Sequence, residues 1–78
     1  MPLTTAERKH RMPFGSQREI AREEAVDEAY VSKAIADEIF PKTDEARVKL
    51  RRVRVAIARR LKVRVDEAFP QPAAAAVA

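Results

Sequence analysis

Apolar residues recur along this chain at helical spacing. The most regular set is Ala46, Leu50, Val53, Ile57 and Leu61, at intervals of 4, 3, 4 and 4, which lines one face of a long helix. Thr43 stands where its hydroxyl would cap that helix, and Asp44 and Glu45 occupy the first turn, at the positive end of the helix dipole. The alternation RVRVAI within the same stretch is a rival strand signal, but it covers too few residues to overturn the longer stripe. Upstream, Val31, Ala34 and Ile35 form an i, i+3, i+4 set that predicts a helix opened by Asp27 as N-cap and ending near Asp37 or Glu38. Before it, Ile20 and Ala21 are the apolar content of a helix from Gln17 to about Glu24. Ser16 is read as its N-cap and Glu19 as the other half of a capping box. Thr4 or Thr5 opens a short first helix through Glu7 to about Arg11, which Pro13 and Gly15 end. After the long helix, Val63 and Val65 lead to one short turn, Asp66 to Phe69, with Phe69 packing back on the core. Phe40-Pro41 reads as a connection. The Pro- and Ala-rich end is low in complexity, so a domain over 1–70 followed by a disordered tail over 71–78 is expected.

Composition agrees with helices. With three Phe, one Tyr and no Trp, the interior must be built from aliphatic side chains, and a single Gly is too few for the turns of a small β domain. An all-α fold of four to five helices is therefore expected. A chain of 78 residues has a small core, and small cores are marginal alone. The formal charge of +4 favours an anionic partner. That charge is uneven: Lys49 to Arg64 contains no acidic residue, whereas Glu19 to Glu38 is net acidic. A solvated helix face is the plain alternative for the basic run. There is no cysteine, hence no disulfide or thiolate metal site, and the single histidine, His10, sits between Lys9 and Arg11 without partners for catalysis or metal binding. No enzyme activity and no cofactor are expected. The segment MPLTTAERKH lacks an apolar leader and no stretch approaches a membrane span, so a cytoplasmic location is the expectation.

Two short helices joined by a turn of about three residues, with small residues on the face of the second, are what insertion into the major groove of DNA requires. Ala21 is small where the two helices must cross, and the buried set around Val31 leaves Glu28, Ala29, Ser32 and Lys33 facing outward. In GSQREIAREEAVDEAYVSKAI, Gly15 to Ile35, the chain resembles the Cro/repressor-type (XRE) helix-turn-helix family of transcriptional regulators. IARRLKVRVDEAFP, Ile57 to Pro70, is more weakly similar to that family's closing helices. The resemblance implies a helix-turn-helix domain that binds double-stranded DNA, commonly as a homodimer on a pseudo-palindromic operator, without a cofactor. It also implies that Gln17 contacts a phosphate and that the exposed positions from Asp27 to Lys33 face the groove. The chain departs from the family where Ala25 occupies a turn position usually held by Gly; an Ala at positive φ costs on the order of 1 kcal/mol. A second departure is the stretch from Asp37 to Ala56, which is longer than the family's usual linker and fourth helix.

The candidate DNA-binding residues are thus Gln17, Arg18, Asp27, Glu28, Ala29, Tyr30, Ser32 and Lys33. Arg18 and Lys33 would contact DNA, though any exposed helical cation looks the same in sequence, and Arg22 is a weaker candidate. Asp27 suits a cap better than a base reader. Glu28 either accepts from cytosine N4 or only serves the helix dipole. Tyr30 either packs at the helix edge or donates its hydroxyl to phosphate. The leading expectation is a small transcriptional regulator, such as a repressor of the size found in phages and mobile elements. The alternative is an interaction or antitoxin-like protein whose basic helix binds an acidic protein surface. Membrane-surface binding by the Thr43 to Leu61 helix is disfavoured, because its apolar face lacks Trp and Phe and is needed for the core.

Overall fold

The computed structural model describes residues 2–70; the expected disordered tail, 71–78, lies outside them. Five helices follow one another: α1 Thr5–Arg11, α2 Ser16–Glu23, α3 Glu28–Ile35, α4 Asp44–Leu61 and α5 Val65–Ala68, with no strand among the described residues. The RVRVAI alternation is helical, inside α4. Of the long stripe, Leu50, Val53, Ile57 and Leu61 are buried, and Ala46 is half-buried near the helix start.

Helix α4 is the frame on which the others rest: α2, α3 and α5 all pack against it, α2 and α3 pack on each other, and α1 covers α3. The core joins Ile20 and Ala21 of α2, the α3 set Val31, Ala34 and Ile35, the α4 stripe, and Ala68 and Phe69 at the end of the domain. Phe69 is buried, as expected, and its ring closes the bottom of a core that is otherwise aliphatic.

Side-chain caps open two of the five helices, α1 and α4, and two of the expected caps, Ser16 and Asp27, are not made. Thr4 and Glu7 form a reciprocal capping box, the Thr4 Oγ1 accepting from the Glu7 N–H at 3.1 Å and Glu7 Oε1 accepting from the Thr4 N–H at 3.0 Å. Thr43 Oγ1 accepts from the Ala46 N–H at 3.1 Å. The capping box expected from Ser16 and Glu19 is absent. Gly15 is the N-cap of α2, at φ 84, with no side-chain cap, and Ser16 is already in the first turn and buried. The left-handed backbone at Gly15 brings the chain into α2 one residue earlier than a Ser cap would, and Glu19 instead reaches Arg60 of α4 at 3.4 Å. Asp27 does occupy the N-cap position of α3 but makes no side-chain cap bond.

Helix ends follow one pattern three times. After α2, α3 and α4 the chain turns through a residue with positive φ: Ala25 (56°), Asp37 (59°) and Lys62 (61°). In each case the next N–H donates back five residues, Val26 to the Ala21 carbonyl at 2.9 Å, Glu38 to that of Lys33 at 2.9 Å and Val63 to that of Ala58 at 3.1 Å. This is the Schellman arrangement, which satisfies carbonyls otherwise left without donors. None of the three residues is Gly. Asp37 is therefore the stop after α3, not its last turn; α3 ends at Ile35, and α2 ends at Glu23.

Candidate nucleic-acid interface

Helices α2 and α3 pack on each other and are joined through residues 24–27, with Ala25 left-handed. Ala21 is buried where α2 meets α3, and Val26, just past the left-handed Ala25, is partly buried against the core. The Val26 N–H donates to the Ala21 carbonyl at 2.9 Å across the left-handed Ala25, which joins the end of α2 to the approach to α3. On α3, Val31, Ala34 and Ile35 are buried, while Glu28, Ala29, Ser32 and Lys33 are exposed on the other side. Asp27, Gln17 and Arg18 are exposed as well. The outward turn of α3 thus carries a carboxylate, a methyl, a hydroxyl and an ammonium without a bulky apolar side chain among them.

Tyr30 differs from its companions. It is half-buried and packs at the edge of the core, with Lys49 Nζ of α4 lying 4.6 Å from its ring centroid. Burial of the ring pushes its hydroxyl pKa up, which keeps it protonated and a donor. Tyr30 thus packs at the edge of the core, with the Lys49 cation of α4 over its face.

Arg18 and Glu28 are brought together. Arg18 Nε lies 3.4 Å from Glu28 Oε1, a link between the start of α2 and the start of α3 across an exposed surface. Glu28 therefore faces a guanidinium that offsets its negative charge, and Arg18 is held close to the exposed first turn of α3. Lys33 has no acidic partner among the described residues.

The basic run of α4 is only partly available to an external anion. Arg60 pairs with Glu19 at 3.4 Å and Glu23 at 2.8 Å, Arg52 with Glu24 at 3.3 Å, and Arg54 with Asp37 at 2.6 Å. The hydrogen bond to Glu23 raises the Arg60 pKa, fixing its charge. Part of the acidic surplus around α2 is thus set against part of the basic surplus of α4. Arg51, Arg59 and Lys62 lack acidic partners among the described residues.

Sequence reasoning missed Arg8. It looks like any helical cation between Glu7 and Lys9, yet it is 2% exposed. Its Nε donates to the Ile35 carbonyl at 2.6 Å, its Nη1 to the carbonyls of Leu3 at 2.7 Å and Ala68 at 3.0 Å, and its Nη2 to Thr5 Oγ1 at 2.9 Å. The guanidinium also lies 4.7 Å from the Phe69 ring centroid. One side chain therefore ties α1, the end of α3 and α5 together, and so holds the helix that bears the candidate interface. Burial lowers the Arg8 pKa without threatening its charge. The available signal was the spacing of Thr5, Arg8 and Met12, at intervals of 3 and 4, which puts Arg8 in the middle of the face α1 must bury.

Comparison with protein-family models, with curated proteins and with solved structures found no match. Among the described residues no group of three or more His, Cys, Asp or Glu could hold a metal ion, and no helix is long and apolar enough to cross a membrane.

Proposed function

We propose that the protein binds double-stranded DNA through α2 and α3 and acts as a small transcriptional regulator. The observation that carries this reading is the α2–Ala25–α3 unit: its inner residues are locked in the core, while the outer face of α3 presents only small or hydrogen-bonding side chains. The major groove admits an α-helix, and there Ala29 can touch a thymine methyl, Lys33 can donate to guanine or phosphate, and Glu28 can accept from cytosine N4. Gln17 and Arg18, exposed at the start of α2, would contact the backbone. Such side chains orient the protein on the duplex, whereas the α3 residues select sequence. The same features support the resemblance to Cro/repressor-type regulators, including a chain reversal at Ala25, where that family usually has Gly. One recognition helix reads only a few base pairs, so the reading includes a homodimer on a two-fold-related operator. Gel retardation of duplex DNA tests it: a complex that survives excess competitor of random sequence supports sequence-specific binding, and its loss to competitor contradicts it.

A second reading, binding to a protein partner, has one observation in its favour. Phe14 and Phe40 are large apolar side chains that stand fully or largely in solvent, at 106% and 81% of their reference exposure. They lie in the loops before α2 and α4, and a protein surface that covered them would gain apolar burial. A complex with duplex DNA that retains sequence preference discriminates against this reading as the principal function.

A further inference from the structure

The end of α2 and the second half of α4 form a surface groove of about 490 Å³, within the size range of ligand clefts. Its apolar lining is Val55 and Ala56, both half-buried and so still partly open to solvent. Its charged lining is four arginines of α4 and, from the end of α2, Glu23 and Glu24. Two of those arginines are already neutralised, Arg52 by Glu24 at 3.3 Å and Arg60 by Glu23 at 2.8 Å. The other two, Arg51 and Arg59, are exposed and have no acidic partner among the described residues. The groove therefore holds two uncompensated positive charges, one on each side of Val55 along the helix. Arg51, Val55 and Arg59 follow at intervals of 4 and 4, which at the helical rise sets the two arginines about 12 Å apart with the valine midway.

We infer that this groove takes an extended acidic peptide segment of a partner protein, with two carboxylates four residues apart and an apolar side chain midway between them. In an extended chain, alternate side chains share one face, and the first and fifth residues stand about 13 Å apart. That face matches the cation, valine, cation order of α4. A nucleic-acid backbone matches it less well, because its closely spaced phosphates would also lie against Glu23 and Glu24 and it offers no side chain to Val55. The neighbouring hollow around Val48 is lined by Asp44 and Glu45, which repel carboxylates and confine the site to the stretch from Arg51 to Arg59. No α3 residue lines the groove, and Glu23 and Glu24 stand at the opposite end of α2 from Gln17 and Arg18. Peptide and duplex are therefore expected to bind together. Neither Phe14 nor Phe40 lines the groove, so this surface is separate from the one those side chains form, and the inference depends on neither DNA binding nor dimerisation.

Amide NMR spectra of the isotope-labelled full chain, titrated with a capped synthetic peptide Gly-Glu-Ser-Leu-Ser-Glu-Gly, read both affinity and place. Saturable shifts are expected at Glu23, Glu24 and from Arg51 to Arg60, with a dissociation constant of about 1 mM or below. Replacing the peptide's Leu by Ser is expected to weaken binding about threefold or more. Arg51→Glu and Arg59→Glu together are expected to weaken it about tenfold or more. Both positions are exposed, and circular dichroism would show that the variant remains helical. The doubly reversed protein is then expected to bind the peptide in which both Glu are replaced by Lys. Absence of saturable shifts up to about 10 mM peptide overturns the inference. So does equal binding of a peptide of the same composition with its two Glu adjacent, failure of the Lys peptide to bind the reversed protein, or displacement of the acidic peptide by duplex DNA. Peptide binding without duplex binding would leave this inference standing while removing the DNA reading, and duplex binding without peptide binding would do the reverse.

Discussion

Arg8 shows how much of this fold depends on one polar side chain. Its guanidinium satisfies three backbone carbonyls from separate parts of the chain and lies over the only buried aromatic ring among the described residues. Arg8→Met keeps much of the volume but leaves those carbonyls without their donor, so a loss of about 2–4 kcal/mol is expected. In a domain of this size that is a large share of the total stability, and urea denaturation would read it. Nothing in the sequence distinguishes Arg8 chemically from Arg11, because burial of a cation depends on carbonyls supplied by residues far along the chain. Ala25 is the opposite case. The turn was legible from the register of Ala21, Val26 and Val31, and the strain expected of a non-Gly residue there is present as a φ of 56°. Ala25→Gly is expected to stabilise the fold by about 1 kcal/mol, raising the melting temperature by about 4–8 °C.

At the scale of elements, helix starts were more legible than helix ends. A start announces itself through short side chains that reach their own backbone, as Thr4 and Thr43 do. The ends here use left-handed Ala25, Asp37 and Lys62 where Gly would have been the sequence signal, so α3 was read too long. Ser16 was misread for a related reason: Gly15 supplied the backbone turn, and the hydroxyl was free to be buried. The capping box on α1 gives that helix a pH dependence. Glu7 accepts from the Thr4 backbone N–H and from its neighbourhood in the folded state, which holds its carboxyl below the ordinary value of 4.5. A lowered folded pKa contributes stability that is complete above the unfolded value and is lost as pH falls through the folded one. The wild type should therefore lose stability relative to Glu7→Gln on acidification from about pH 5 downward. Melting curves of the two proteins across that range would show the difference, and parallel curves would contradict the cap's role.

For the whole molecule, the balance of charge decides how the protein would meet a polyanion. The basic Lys49 to Arg64 run favoured an anionic partner, with a solvated helix face as the alternative, but the ion pairs from α4 to Glu19, Glu23, Glu24 and Asp37 take up several of its arginines. Those pairings join residues far apart in sequence and could not be read from either run alone. With roughly four phosphates neutralised per protomer, log K for duplex DNA should fall with log salt with a slope of about −4 per protomer. Arg18→Ala should weaken all duplexes about equally and bring the slope closer to zero by roughly one per protomer. A salt response unchanged by that substitution would remove Arg18 from the backbone contacts.

The central claim, that α3 reads sequence, is tested most directly by selecting bound sites from a random duplex library with the wild type and Glu28→Gln in parallel. The wild type is expected to enrich two related half-sites about 10 base pairs apart. Glu28→Gln, nearly isosteric but able to donate, is expected to change the preferred base at one position in each half-site, and each mismatch should cost about 1–3 kcal/mol. Failure of the wild type to enrich any motif, or recovery of one motif at equal affinity by both proteins, would contradict the assignment of α3 to the groove.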